Sequence, residues 1–142
     1  MEIDVINTHH QNTVRISKYR IYLLQFIYLA TFISLGRFAW LEIFTHTQRL
    51  ENFYGVTISL WAGYATLMAF GVYRPLKMIP MLILQLIYKS TWLLGVALPM
   101  WSAGTLDPTT SYWIKSWSFA VLINALVLPW PYIYQHFIKR RK

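Results

Sequence analysis

The sequence contains no cysteine and few charged residues, and each shortage excludes functions. Without cysteine the chain has no disulfide, no thiolate metal site and no cysteine nucleophile. Only 13% of the 142 residues are charged, whereas a soluble domain usually carries about 25%. Hydrophobic residues make up 56% of the chain and aromatic residues 18%. The length predicts one domain, and the composition predicts that much of its surface does not face water.

Long apolar segments account for this composition. A helix that crosses a bilayer needs about 20 mostly apolar residues, and such segments run over about 21–43, 53–73, 78–101 and 116–138. Asp107 and Pro108 have the pattern of an N-cap followed by proline at the first helical position, so we expect the last helix to begin near Pro108. Trp113 and Trp117 are expected at the outer interface. The sequence therefore predicts an all-α integral membrane four-helix bundle, with residues 1–142 as one domain.

Basic residues are distributed unequally between the connections. The connections on one side of the predicted bundle hold only Arg49 and Lys115, while Arg37 and Lys89 lie within spans. The positive-inside rule then places both termini in the cytoplasm, with residues 1–14 as a short tail. The net charge of +8 is explained by topology and by attraction to anionic lipid rather than to nucleic acid. The other side carries Arg15, Lys18, Arg20, Arg74, Lys77, Lys139, Arg140, Arg141 and Lys142.

Small residues recur every fourth position along the second span. They are Gly55, Ser59, Gly63 and Gly71, with Leu67 in the remaining place. Small side chains let helix backbones approach closely in lipid. The pattern favours an internal helix contact, because a four-helix chain has neighbouring helices within reach. The alternative is a face for a protein partner or for a second copy of the chain.

Two prolines, Pro129 and Pro131, interrupt the inner third of the fourth span. Proline lacks an amide donor, so the carbonyl groups of Ala125 and Val127 lose their helical partners. The favoured interpretation is a helix kinked near its end. The alternative is a hinge or a cavity wall, where protein or water satisfies the freed carbonyl groups.

Lys89 is the charged residue nearest the middle of a predicted span, roughly 16 Å from either end of its helix. An ionisable residue at this depth is a candidate functional site. None of the five acidic residues is expected beside it, since they lie in the N-terminal tail or near the outer surface. They are Glu2, Asp4, Glu42, Glu51 and Asp107.

Three interpretations of Lys89 remain open. The side chain is uncharged, because burial disfavours the charged form; or it is bound by backbone carbonyls and by Tyr64 and Asn124; or it pairs with an anionic ligand in a wet cavity. Gln85 and Trp92 lie one turn away on the same helix face, and we expect Lys89 to lean inward, toward Gln85. With Arg37, which extends to the outer interface, the candidate ligand-binding residues are Lys89, Gln85, Trp92, Tyr64, Asn124 and Arg37.

Motifs for catalysis or cofactor binding are missing from the sequence. It has no glycine-rich phosphate loop, no GxSxG and no HExxH, and its four histidines show no carboxylate–histidine spacing typical of a di-metal site. We therefore predict no catalytic residue, no metal and no cofactor. The favoured function is a non-catalytic membrane module, such as a subunit, assembly factor or regulator. The alternatives are a binder or carrier of a lipid-like or anionic small molecule at Lys89, and a membrane enzyme with Lys89 as base or nucleophile.

One segment resembles a known group of proteins. The stretch Tyr73–Pro80, YRPLKMIP, with Gln85, Tyr88-Lys89 and Trp92-Leu93-Leu94, resembles a stretch of small bacterial four-span membrane proteins, and Gly55 and Trp61-Ala62 agree with it. The general layout is more remotely similar to DoxX-like four-helix proteins. The resemblance covers the middle part of the chain. It implies a location in the bacterial inner membrane, and it carries over no activity and no site residue.

Overall fold

A computed structural model describes residues 15–45 and 52–139 of the chain. The predicted tail, the outer residues Arg49 and Glu51, and the last three basic residues lie outside this part. Within it the all-α prediction is confirmed, with helices and no strand. The α-helices are α1 Lys18–Thr45, α2 Asn52–Tyr73, α3 Ile79–Trp92, α4 Leu98–Ser102, α5 Pro108–Val127 and α6 Trp130–Ile133; the π-helical segments are Leu93–Ala97 and Tyr134–Ile138.

Several of these segments are suited to a membrane. Lys18–Thr45, Phe53–Tyr73 and Ile79–Ser102 are each long and apolar enough to cross a bilayer. Pro108–Val127 and Trp130–Ile138 meet the same criteria together, as a pair bent by 68°. Large apolar side chains also lie on the outside of the protein: Leu60 is 67% exposed and Leu126 68%. The described chain therefore contains three helices able to span a membrane, or four when the bent pair is counted as one span.

Helices α1 and α2 pack closely through small residues. Gly36 and Ala39 of α1 are buried, as are Ala62 and Ala65 of α2. A Cβ atom added at Gly36 would lie 3.5 Å from the Cβ of Ala65, which is ordinary van der Waals contact. Small residues allow this close approach, so the internal small-residue contact exists, but on a different face of α2 from the predicted one.

The predicted small-residue face of α2 is divided between two environments. A Cβ at Gly63 would meet nothing within 4 Å, and Ser59 is also exposed. Gly71 is instead buried directly under the ring of Tyr28. Internal packing is thus confirmed for Gly71 and wrong for Ser59 and Gly63. The reason is geometric: with 3.6 residues per turn, steps of four residues rotate by about 40° each, so Gly55 and Gly71 differ in direction by about 160°.

Side chains of α1 satisfy backbone groups where α2 ends. The last carbonyl groups of a helix have no partner within it. Gln25 donates from Nε2 to the carbonyl oxygen of Val72 at 2.7 Å, and the Tyr28 hydroxyl donates to that of Pro75 at 3.0 Å. These bonds fix the end of α2 and the following turn against α1.

The fourth predicted span begins where the sequence indicates and is kinked near its two prolines. Asp107 is the N-cap of α5, and its side chain accepts a hydrogen bond from the Thr110 amide at 3.2 Å. Hydrogen bonding by Thr110 lowers the pKa of the Asp107 carboxyl. The kink predicted from Pro129 and Pro131 is present: the chain leaves the helix at Leu128 and turns by 68° before α6.

The proline break after α5 is buried within the protein. Leu128 and Pro129 are almost completely inaccessible. The indole Nε1 of Trp130 donates to the carbonyl oxygen of Ala125 at 2.8 Å. A carbonyl group that the prolines deprive of its helical partner therefore receives a side-chain donor instead.

The third span contains a π-helical segment that the sequence reasoning missed. The Leu98 amide bonds to the carbonyl oxygen of Leu93, five residues earlier. Pro99 follows at once and has no amide to give to Gly95. We attribute the local change of hydrogen-bond register to this proline, since π-helical turns accommodate such interruptions within an α-helix.

Candidate functional site

A group of three buried polar residues joins α2, α3 and α5. Gln85 is 4% exposed and Asn124 2%, and both lie in the middle of otherwise apolar surroundings. The Tyr64 hydroxyl lies 3.0 Å from the carbonyl oxygen of Met81 and 3.3 Å from Oε1 of Gln85. We call Tyr64, Gln85 and Asn124 the polar cluster.

Asn124 connects α5 to this group through the backbone of α3. Its Nδ2 donates to the carbonyl oxygen of Leu82 at 3.1 Å. Its Oδ1 is buried, and no donor among the described residues reaches it. Buried polar groups normally have hydrogen-bond partners. The Tyr64 hydroxyl and Asn124 Nδ2 therefore have partners within the protein, whereas Asn124 Oδ1 has none among the described residues.

Lys89 lies one turn further along α3 and faces α5. Its Nζ is 5.8 Å from the ring centroid of Trp117, within the range of a cation–π interaction. No hydrogen bond joins it to Gln85, whose Oε1 is instead in contact with Tyr64. The inward lean of Lys89 toward Gln85 stays a prediction; the contact that the structure gives the ammonium group is the Trp117 ring on α5.

The aromatic ring beside Lys89 belongs to a larger group of aromatic side chains. Trp117 is central: its ring centroid lies 4.9 Å from that of Trp92, 5.6 Å from Tyr88 and 5.8 Å from Trp113. These rings meet at steep angles, the edge-to-face arrangement that aromatic pairs prefer. The whole group, which we call the aromatic cluster, consists of Trp61, Tyr64, Tyr88, Trp92, Trp113 and Trp117.

Arg37 does not join this arrangement. It is exposed on α1 and lines a surface depression together with Phe38 and Glu42, and every described residue of that lining belongs to α1. The structure thus brings Lys89, Trp92, Tyr64, Gln85 and Asn124 together where α2, α3 and α5 meet. It leaves the sixth candidate residue on another surface.

Trp117 and Tyr88 were missed as members of the site. The position of Trp117 at the outer interface stays a prediction, and the structure places its ring against Lys89. Helix α5 begins at Pro108. Nine further residues place Trp117 about 14 Å along the helix, level with Lys89. The Asp107-Pro108 start signal contained this information. Tyr88 directly precedes Lys89 but carried no signal of its own.

The arrangement lacks the groups that most chemistry needs. Glu42 lies near the end of α1 and Asp107 before the start of α5, whereas Lys89 lies well inside its span. No group of three His, Asp or Glu side chains suited to a metal ion occurs among the described residues. The contacts described here can fix three helices to one another and hold a cation against an aromatic face.

Fold and site together define an all-α protein with three or four candidate membrane spans that meet at a polar and aromatic interior. Comparison with protein-family models, curated proteins and solved structures finds no match.

Proposed function

We propose that the chain is a non-catalytic integral membrane module, a subunit, assembly factor or regulator that works by contact with other membrane helices. It crosses the membrane four times with both termini in the cytoplasm, as the basic residues indicate. The resemblance of Tyr73–Pro80 to small bacterial four-span proteins supports a location in the bacterial inner membrane.

The observation that carries this proposal is the use of polar groups inside the protein. Tyr64, Gln85 and Asn124 contact each other or backbone carbonyl groups of α3. Such contacts hold helices together in a membrane, where each contributes about 0.6 kcal/mol and up to about 2 kcal/mol. Groups engaged in this way stabilise the bundle.

The surface for a partner, in this proposal, is the face of α2 formed by Gly55, Ser59 and Gly63. Gly63 has open space around it, and Ser59 is exposed. Small residues on an outer helix face allow a second helix to approach closely. The occupant is a helix of a second copy of the chain or of another membrane protein.

Cysteine crosslinking tests the proposal directly, since the native chain contains no cysteine. Gly63→Cys is expected to give a crosslinked product in native membranes, either a disulfide dimer after mild oxidation or an adduct through a photoreactive maleimide. Close helix approach at this position is the physical reason. The yield, measured on denaturing gels, is expected to exceed several-fold that of a control cysteine.

The control is Phe119→Cys on α5, a position that is 66% exposed and similarly central in its helix. It reports random collisions in the bilayer. Equal yields from Gly63→Cys and Phe119→Cys, at protein levels matched to the native host, would refute the assigned face. If neither Gly63→Cys nor Phe119→Cys gave a crosslinked product, the proposed function would lose its support.

A second function, the binding of an anionic small molecule, draws on one observation about Lys89. The two acidic residues that the structure describes, Glu42 and Asp107, lie near helix ends, away from Lys89. The lysine therefore has an aromatic contact and no carboxylate partner among the described residues. An anionic ligand would supply that partner.

Lys89→Met distinguishes the two functions. Burying a lysine at the centre of a span costs about 2.5–3.5 kcal/mol, whereas a desolvated cation–π contact returns about 2 kcal/mol. Methionine keeps most of the packing on Trp117, so the module function predicts a variant that is as stable as the native protein or about 1 kcal/mol more stable. The measurement is the free energy of unfolding in mixed micelles, with Lys77→Met in an exposed turn as control. A loss of stability at Lys89 alone would favour a bound anion.

A further inference from the structure

A groove separates the outer halves of the third and fourth spans. The inner parts of these helices are held together by the hydrogen bond from Asn124 to the Leu82 carbonyl and by the edge-to-face contact of Trp92 with Trp117. Beyond that level they enclose a hollow of about 390 Å³. This volume lies within the range of small-molecule sites, about 300–1,000 Å³.

The groove has one apolar wall. The π-helical segment contributes Leu93, Leu94 and Ala97, and α4 continues the wall with Leu98. π-helical turns inside an α-helix often occur at functional sites. Here the segment faces the groove directly, so the irregular part of the third span is also its binding wall.

The opposite wall mixes Ile114 with polar side chains and carries a positive charge. It comes from α5, where Ser111, Lys115 and Ser118 line the hollow. Lys115 is the charged residue of the lining, which contains no carboxylate. Asp107 lies two turns earlier, about 12 Å along the helix, and accepts a hydrogen bond from the Thr110 amide. Side chains tilt toward the N-terminus of their helix, so Lys115 extends toward the outer end of the groove.

We propose that this groove binds an anionic phospholipid of the surrounding bilayer. The phosphate pairs with Lys115 at the outer end, and one acyl chain lies inward along Leu93 and Ala97. The charge of the wall selects an anion, and the apolar wall selects a hydrocarbon chain. This site is distinct from the small-residue face of α2 and from Lys89.

The shape of the groove favours a phospholipid over a free fatty acid. Its apolar wall continues onto the outside of the protein, where Leu94 is 68% and Leu98 48% exposed. A lipid with two chains can therefore place one chain in the groove and the other across this outer surface. A single chain would leave that surface to other lipids.

Native mass spectrometry of the full-length protein in detergent micelles tests the proposal. The probes are dioleoyl phosphatidylglycerol and dioleoyl phosphatidylcholine, which have the same chains and differ in head-group charge. One phosphatidylglycerol molecule is expected to bind more tightly than phosphatidylcholine. Lys115→Gln is expected to lower phosphatidylglycerol affinity about fivefold, the effect of one basic residue near a membrane surface, and to leave phosphatidylcholine unchanged.

A second variant tests the chain position, and matched lysines test the charge. Ser118→Leu fills the inner half of the groove from an exposed position and is expected to lower the affinity for both lipids. Lys77→Gln and Lys89→Gln are expected to leave the affinities for phosphatidylglycerol and phosphatidylcholine unchanged.

Four results would each overturn the assignment. The first is unchanged phosphatidylglycerol affinity in Lys115→Gln. The second is an equal loss of phosphatidylglycerol affinity in Lys77→Gln, which would indicate diffuse charge, or in Lys89→Gln, which would indicate binding at the aromatic cluster. The third is tighter binding of oleate than of phosphatidylglycerol, which would indicate a free fatty acid, and the fourth is a dimer that excludes lipid, which would place a second copy in the groove.

Discussion

Replacing Gly71 by alanine is expected to lower the free energy of unfolding by about 1–3 kcal/mol, the usual range for overpacking a core. The added Cβ would overlap the ring of Tyr28, at its Cγ and Cδ1 atoms. That ring cannot easily move away, because Tyr28 is completely buried and its hydroxyl donates to the carbonyl oxygen of Pro75. One methyl group would therefore disturb the contact between α1 and the end of α2.

Gly63→Ala is the matched control for this prediction, since it makes the same change in the same helix. Nothing lies within 4 Å of the added Cβ at Gly63, and alanine favours helix by about 1 kcal/mol relative to glycine. The control is expected to be neutral or slightly stabilising for the monomer. Pulse proteolysis in mixed micelles measures both free energies. Equal stability of Gly71→Ala and Gly63→Ala would show that Tyr28 does not pack on Gly71 as described.

The two glycines also show which parts of the fold could be predicted from sequence. Composition and run length were enough to predict helices able to cross a membrane, because those signals are sums over about 20 residues. The direction in which each small residue faces changes by about 40° with every step of four residues, and this rotation accumulates along the helix. Gly71 and Gly63 share a spacing but differ in environment, and no local signal separates them.

The breaks within the helical spans also have a local cause, which the sequence shows, and a tertiary cause, which it does not. Proline removes a donor wherever it occurs, so the interruption before Pro129 was predictable. The burial of this break was not predictable, because it depends on tertiary packing and on the hydrogen bond from Trp130 to the carbonyl oxygen of Ala125. The π-helical segment before Pro99 is a local consequence of the same kind and was overlooked.

The candidate site was predicted in part for similar reasons. Gln85 and Trp92 share a helix face with Lys89, and helical periodicity gives such neighbours directly. Tyr64 and Asn124 were inferred from depth alone, and both lie in the polar cluster. Arg37 was grouped with them by charge type, and its direction around α1 separates it from them. The Asp107-Pro108 start signal indicates how far along α5 Trp117 lies, but its contact with Lys89 depends on how α3 and α5 pack, which no pattern within one helix contains.

Replacing Trp117 by alanine is expected to have the largest effect on stability, with a loss of about 3–5 kcal/mol. Its ring contacts Trp92, Tyr88 and Trp113 and lies under the ammonium group of Lys89. Truncation would remove these contacts and leave a cavity between α3 and α5, and it would leave Lys89 without its aromatic partner. In the proposed membrane location, helices associate through packing and hydrogen bonds rather than through a hydrophobic drive. The loss of packing at Trp117 therefore directly weakens the association of α3 with α5.

Two further variants make this expectation specific. Trp117→Phe keeps a ring beneath Lys89 and is expected to retain more than half of the lost stability, because a smaller aromatic ring still fills most of the space. Trp101→Ala removes an indole that is 67% exposed and is expected to change stability little. Pulse proteolysis suits all three, because it does not depend on tryptophan fluorescence. If Trp117→Ala were no more harmful than Trp101→Ala, the aromatic cluster would not hold α3 against α5, and the packed interior on which the proposed module depends would lose its main contact.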